Sequence, residues 1–197
     1  DARFLEAALE LADRMAAAAR EWEGLLQPLP RPWLAVMVGG PNHPYRFEPR
    51  HARTLAAQAA ALARAQGGSL LVTTSGRTPA FVGPAFEAEI RDLPHHLFLW
   101  QEAAPDNPYF AYLALADAFI VTGDSVSMLT EATATGRPVA IYRPPRRRQL
   151  IGPRTAKLPP LSWLIELGLV PHPRDIGAFC DRLVANGPAD QLGGPAP

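Results

Sequence analysis

Cysteine is almost missing from this chain of 197 residues: there is one, Cys180. A lone thiol excludes an internal disulfide framework and a cysteine-based zinc cluster. An excess of one charge is missing as well. Lys and Arg together number 19, and so do Asp and Glu. No basic surplus points to nucleic acid, and no acidic surplus points to a disordered chain. The five histidines, His43, His51, His95, His96 and His172, show neither H-x-x-x-H nor H-E-x-x-H spacing, so no metal site is expected. No apolar run approaches the roughly 18 residues that span a bilayer. The first residue is Asp1, and no basic segment precedes an apolar stretch as in a secretory leader. The sequence is expected to be a piece of a longer chain.

What is present is an ordinary globular balance, 48% hydrophobic and 19% charged. The 22 prolines and 15 glycines are spread between apolar runs rather than gathered into low-complexity tracts. Charge is uneven in one place. Positions 143–157 hold Arg143, Arg146, Arg147, Arg148, Arg154 and Lys157 with no acid among them. Such a block suits an anionic neighbour, or is a solvated, flexible loop, for which Pro144 and Pro145 argue.

Residues 2–23 carry apolar side chains at three- and four-residue steps, Leu5, Leu9, Met15 and Trp22 among them, which predicts an amphipathic helix ending at Gly24. Pro28, Pro30 and Pro32 follow as a stiff connector. The period then changes. Trp33–Val38 is a continuous apolar run stopped by Gly39-Gly40-Pro41, the pattern of a buried parallel strand. The same grammar repeats with strands predicted at 69–74, 96–100, 118–122 and 138–142. Helices are predicted between them, opening at Glu48-Pro49, after Pro79, at Asn107-Pro108 and at Gly123-Asp124-Ser125. Two closing helices are expected at 158–167 and 175–185.

Alternating strands and helices predict an α/β fold: a three-layer, Rossmann-like parallel sheet of five or six strands with an N-terminal amphipathic helix. The domain reading is a helix and proline-rich linker over 1–30, the Rossmann-like lobe over 31–185, and a flexible tail over 186–197. Such chains usually wind outward for three strands and then cross back beside the first. The loops after the first and fourth strands, 39–46 and 122–127, then face each other at the switch point where open α/β sheets bind ligands.

The fourth-strand loop holds the most chemistry. Gly123 lets backbone approach a ligand, Asp124 or Ser125 can cap the helix, and the helix start is an anion site. Ser127 and Glu131 are four apart and share a helical face. A serine at the helix mouth and a carboxylate one turn deeper suit a diphosphate with its ribose; an ordinary capped helix with an exposed glutamate explains them equally. Gly39 and Gly40 are either a tight turn or a close approach to phosphate. Without G-x-G-x-x-G or a Walker lysine, a dinucleotide or P-loop reading has little support. In Ser75-Gly76-Arg77-Thr78-Pro79, Arg77 reaches a phosphate or is a solvated loop arginine. His43, Tyr45 and Arg46 fall in the expected cleft, with His43 a general base or merely exposed. His95 and His96 sit at a strand entrance and read as structural. With no G-x-S-x-G elbow, neither Ser125 nor Ser127 is expected to be a hydrolase nucleophile.

These segments resemble a known family. Val38-Gly39-Gly40-Pro41, the run 68–75 with Arg77-Thr78-Pro79, Asn107-Pro108-Tyr109, and above all Asp124-Ser125-Val126-Ser127-Met128 with Glu131-Ala132 and Thr135-Gly136-Arg137-Pro138-Val139 look like the mitochondrial-fission "elongated mitochondria" (ELM) family. The likeness covers roughly residues 25–142 and fades beyond Tyr142. The fourth-strand segment is more distantly similar to the donor half of GT-B glycosyltransferases, such as the GlcNAc transferase of peptidoglycan synthesis. The resemblance implies the C-terminal half of a two-lobed protein whose N-terminal lobe carries the acceptor site. It implies a diphosphate held at the helix mouth by Gly39, Gly40, Ser125 and Ser127, an additional phosphate contact from Arg77, and a ribose held by Glu131, with Ser75, Thr78, Gly123 and Asp124 completing the expected nucleotide-binding set.

Three functions compete. The first is the nucleotide-sugar-binding lobe of a glycosyltransferase, with a UDP- or GDP-type donor and no resident cofactor. The second is an adaptor that kept the fold and lost the chemistry. The third, a sugar-nucleotide epimerase, lacks a distinctive acid/base pair. A cytoplasmic protein, peripheral at the inner membrane, is expected on the first two readings. The loop of Arg143, Arg146, Arg147 and Arg148 would meet an anionic lipid or acceptor, and no nucleic-acid partner is expected.

Overall fold

In the computed structural model, the described residues are 2–42, 45–102, 104, 106–145 and 176–192. The first helix, α1 (Ala2–Leu26), runs two residues beyond Gly24, where the sequence predicts its end. Glycine inside a helix costs about 1 kcal/mol against alanine. The next turn offsets that cost, because Trp22 and Leu26, four apart on one face, are both buried. The helix packs through Met15, Ala18, Trp22 and Leu26, whereas Leu9, expected in the same stripe, is 58% exposed.

Strand β1 (Trp33–Val38) is buried throughout, and its residues alternate between two cores. Trp33, Ala35 and Met37 join one face and Leu34, Val36 and Val38 the other, as the two-residue period of a strand requires. Helix α2 (Pro49–Gln66) starts with proline in its first turn and stops at Gly67, which adopts φ 64° and returns its N–H to the carbonyls of Ala63 and Arg64. Its buried stripe is almost all alanine, which lets it lie close on the sheet.

Next come β2 (Ser69–Thr74), α3 (Val82–Ile90), β3 (His95–Phe98), α4 (Tyr109–Leu115), β4 (Ala118–Thr122), α5 (Val126–Ala134), β5 (Val139–Tyr142), α6 (Ile176–Ala185) and β6 (Asp190–Gln191). Six parallel strands pair in the order β3-β2-β1-β4-β5-β6. Strands β1 and β4 are therefore neighbours, as the winding rule predicts. Helices α1, α4, α5 and α6 contribute to the core on one face, and α2 and α3 to the core on the other, which gives the three layers.

Two local differences from the sequence reading have physical causes. Strand β3 spans His95–Phe98 rather than 96–100, because its register against β2 ends at Thr73↔Phe98. Leu99 then turns in against Gly83, and the Trp100 N–H is held by Thr74 Oγ1 at 2.7 Å. The sixth strand falls in the stretch read as a tail: Asp190 and Gln191 pair with Ala140 and Ile141, with Ala189 buried beside them. The helix predicted over 158–167 lies outside the described residues, as do Arg146, Arg147 and Arg148. Among the described residues, no helix is long and apolar enough to cross a membrane.

Candidate functional site

The carboxyl ends of β3, β2, β1 and β4 share one edge because the strands are parallel. The loops that leave them touch in succession. After β1, the Gly39 N–H donates to Thr122 Oγ1 at 2.8 Å. A Cβ on Gly39 would stand 2.9 Å from Asp124 Oδ1 and 2.9 Å from Ser125 Cβ. A Cβ on Gly40 would stand 2.3 Å from the Arg77 carbonyl oxygen. Both glycines are thus demanded by packing: the β1 loop is wedged between the loops after β2 and β4.

The β2 loop is tied to the same place. Thr78 Oγ1 lies 2.8 Å from the carbonyl oxygens of both Val38 and Gly39. It accepts the Ser75 N–H at 2.8 Å and meets the Ser75 hydroxyl at 3.1 Å. Ser75 and Thr78 therefore fix the loop to the end of β1 and leave Arg77 exposed on top of it. Among the described residues, Arg77 has no ion-pair partner within 4 Å.

Helix α5 begins at this junction. Ser125 occupies its N-cap position in extended backbone, but its side chain makes no capping hydrogen bond. The first-turn N–H groups of a helix have no intrahelical acceptor, so here they remain available and carry the positive end of the helix dipole. Ser125 is buried, while Val126 and Ser127 are exposed on the first turn. Beneath them lies Asp124, only 2% exposed, and its Oδ1 has no hydrogen-bond partner among the described residues. Burial raises the Asp124 carboxyl above the usual carboxylate range, against the lowering effects of the Thr122 hydroxyl, its own backbone amide and the Arg77 charge.

Two residues of the sequence-derived set sit apart from this junction. Gly123 turns the side where a Cβ would project toward Ile141, the Tyr142 carbonyl and Cys180, at 3.3 to 3.5 Å. Its N–H donates to Tyr142 O at 2.7 Å. Its glycine character thus serves packing against β5 and α6. Glu131, one turn below Ser127, accepts a hydrogen bond from the Tyr109 hydroxyl. It lines a groove of about 370 Å³ with Ala8, Leu11 and Met15 of α1. Burial, then the Glu131 carboxylate, pushes the Tyr109 hydroxyl far up and keeps it protonated as the donor.

Other candidates separate more clearly. His43 lies outside the described residues. Arg143 pairs with Asp181 of α6, and Arg137 donates to the carbonyls of Leu113 and Ala114 at 3.1 and 2.7 Å, closing the end of α4. His96 shares a 2.5 Å hydrogen bond with the Tyr112 hydroxyl and meets the Trp22 ring edge-on. The described residues contain no group of three or more side chains suited to a metal ion. Sequence reasoning missed Thr122 as the anchor of Gly39, Tyr109 as the partner of Glu131, and Trp100, whose indole lies on Gly76.

The family described as mitochondrial fission ELM1 matches residues 6–159. The Mitochondrial fission protein ELM1 of Arabidopsis thaliana is 37% identical over 124 residues, which cover 63% of this chain and 28% of that protein. An uncharacterized protein, RP120, of Rickettsia prowazekii (strain Madrid E) is 30% identical over 120 residues, 59% of this chain and 33% of that one. The chain thus matches about a third or less of the length of these curated relatives. A universal stress protein from Archaeoglobus fulgidus aligns with 59% of this chain and 97% of its own at 20% identity, with a TM-score of 0.31, too loose to bear on the site.

Proposed function

The chain belongs to the mitochondrial fission ELM1 family, and we propose that the crevice at its switch point takes the nucleoside diphosphate of a nucleotide-sugar, of the UDP or GDP type. On this reading the chain is the donor-binding lobe of a GT-B-like glycosyltransferase. The acceptor lobe belongs to the length of the relatives that this chain does not match. The protein works in the cytoplasm, peripheral at the inner membrane, and the arginines beyond β5 meet an anionic lipid or acceptor.

The observation that supports this reading best is the uncapped start of α5 pressed against Gly39. Free N–H groups, the helix dipole and the exposed Ser127 hydroxyl all favour an anion there. The exposed Arg77 adds a cation over the same crevice. A leaving nucleoside diphosphate needs charge stabilisation, and these groups supply it. Glu131 reaches a ribose hydroxyl by exchanging the Tyr109 hydroxyl for it.

The Glu131–Tyr109 bond and the buried Asp124 charge favour a second reading, a non-catalytic interaction module. Calorimetric titration of the intact protein with UDP, GDP, CDP and their sugar conjugates separates the two. Binding is expected, weakened by about 1–2 kcal/mol in Ser127→Ala through loss of a charge-assisted hydrogen bond. No binding at millimolar nucleotide sinks the enzyme reading and leaves the interaction module.

A further inference from the structure

The last residue before the chain turns away from β3 is an exposed tryptophan. Trp100 is 42% exposed, an unusual place for a large ring. It is not loose. Its backbone N–H is fixed by Thr74 Oγ1 at 2.7 Å, and Leu99 before it packs against Gly83. The six-membered part of the indole lies on Gly76: a Cβ there would meet Cη2 and Cζ2 at 3.1 Å and Cε2 at 3.3 Å. The Cε2–Cζ2–Cη2 part of the indole therefore abuts the β2 loop, and much of the residue remains open to solvent.

Contact then runs without a break along the sheet edge. Trp100 touches Gly76, Arg77 touches Gly40, and Gly39 touches Ser125 at the start of α5. From β3 to β4 there are three strand intervals, about 14 Å at the usual parallel spacing. That matches the reach of an extended nucleoside diphosphate whose phosphates sit at α5. Arg77 lies between the two ends.

We propose that Trp100 is the stacking platform for the nucleobase, with Gly76 kept small so that the Cε2–Cζ2–Cη2 part of the indole can seat against the loop. This inference rests on the nucleotide reading above and adds the position of the base. An aromatic platform reads a π-face and not an edge, so it accepts every base. Purine diphosphates, with the larger ring, gain more from it than pyrimidine ones. Discrimination among bases comes from other groups.

The test compares GDP, UDP and inorganic pyrophosphate as titrants of wild-type protein, Trp100→Ala and Trp100→Phe. Trp100→Ala is expected to weaken GDP by at least about fivefold, and UDP by less, while leaving pyrophosphate unchanged. Trp100→Phe is expected to retain most of the nucleotide affinity. Nucleotide is expected to quench tryptophan fluorescence in the wild type and to lose that quenching in Trp100→Phe. Unchanged GDP affinity in Trp100→Ala, or an equal loss for GDP and pyrophosphate, overturns the platform while the diphosphate site stands. Failure of the wild type to bind any of the three overturns both.

Discussion

A carboxylate beneath the mouth of a helix opposes any anion bound there. Asp124 holds that position, buried and beside Gly39. Asp124→Asn keeps the shape and removes the charge. If the crevice takes a diphosphate through α5 and Arg77, this variant binds UDP severalfold more tightly in a calorimetric titration. Weaker binding would mean that the carboxylate accepts a bond from the ligand. At this scale the sequence was readable where a residue type is forced by local geometry. Gly39 and Gly40, ending an apolar run, marked a tight turn or a close approach of backbone; that the loops after β2 and β4 are what comes close was not read from the sequence. Ser125 marked the start of a helix. What could not be read was a partner distant in sequence: nothing in the spacing of Tyr109 and Glu131, 22 positions apart, announces a hydrogen bond. Trp100 was hidden for another reason. It ends an apolar run, so it read as the last residue of a strand.

At the scale of elements, tertiary packing decided the boundaries that propensity left open. Helix α1 passes through Gly24 because Trp22 and Leu26 are buried on either side of it. The Thr135-Gly136-Arg137-Pro138 segment, part of the family likeness, serves the scaffold. Gly136 takes φ 71° after α5, and Arg137 closes α4. Strand β3 is joined to α4 and α1 through His96, which meets Tyr112 and Trp22. Burial, then the neighbouring His95, lowers His96 below the ordinary histidine value of 6.5. The unfolded chain therefore takes up this proton more readily than the folded one. Stability is complete above about pH 6.5 and falls as pH drops toward the folded-state value. His96→Phe keeps a ring and removes the titration. Urea midpoints at pH 7 and pH 5 are expected to differ less in this variant than in the wild type. His51, also lowered mainly by burial, is untouched by the substitution and accounts for part of the remaining slope. An unchanged difference would show that His96 is not the group responsible.

At the scale of the whole molecule, the order β3-β2-β1-β4-β5-β6 is what turns scattered residues into one crevice. Alternating periods were enough to foresee a parallel sheet, and one crossing back placed β4 beside β1. A sheet of five or six strands was expected, but the place of the sixth was not read, since two residues in a glycine- and proline-rich segment carry no strand pattern; the open edge of β5 gives them a partner. The central claim is that a nucleoside diphosphate lies along the carboxyl edge from Trp100 to the first turn of α5. Amide hydrogen exchange of the intact protein, with and without saturating GDP, tests it most directly. Slowed exchange is expected in the loop after β1, in the 75–79 loop and in the first turn of α5, with the amino-terminal ends of the strands unchanged. Exchange unaltered at all three places, or protection confined to the groove between α1 and Glu131, would contradict it.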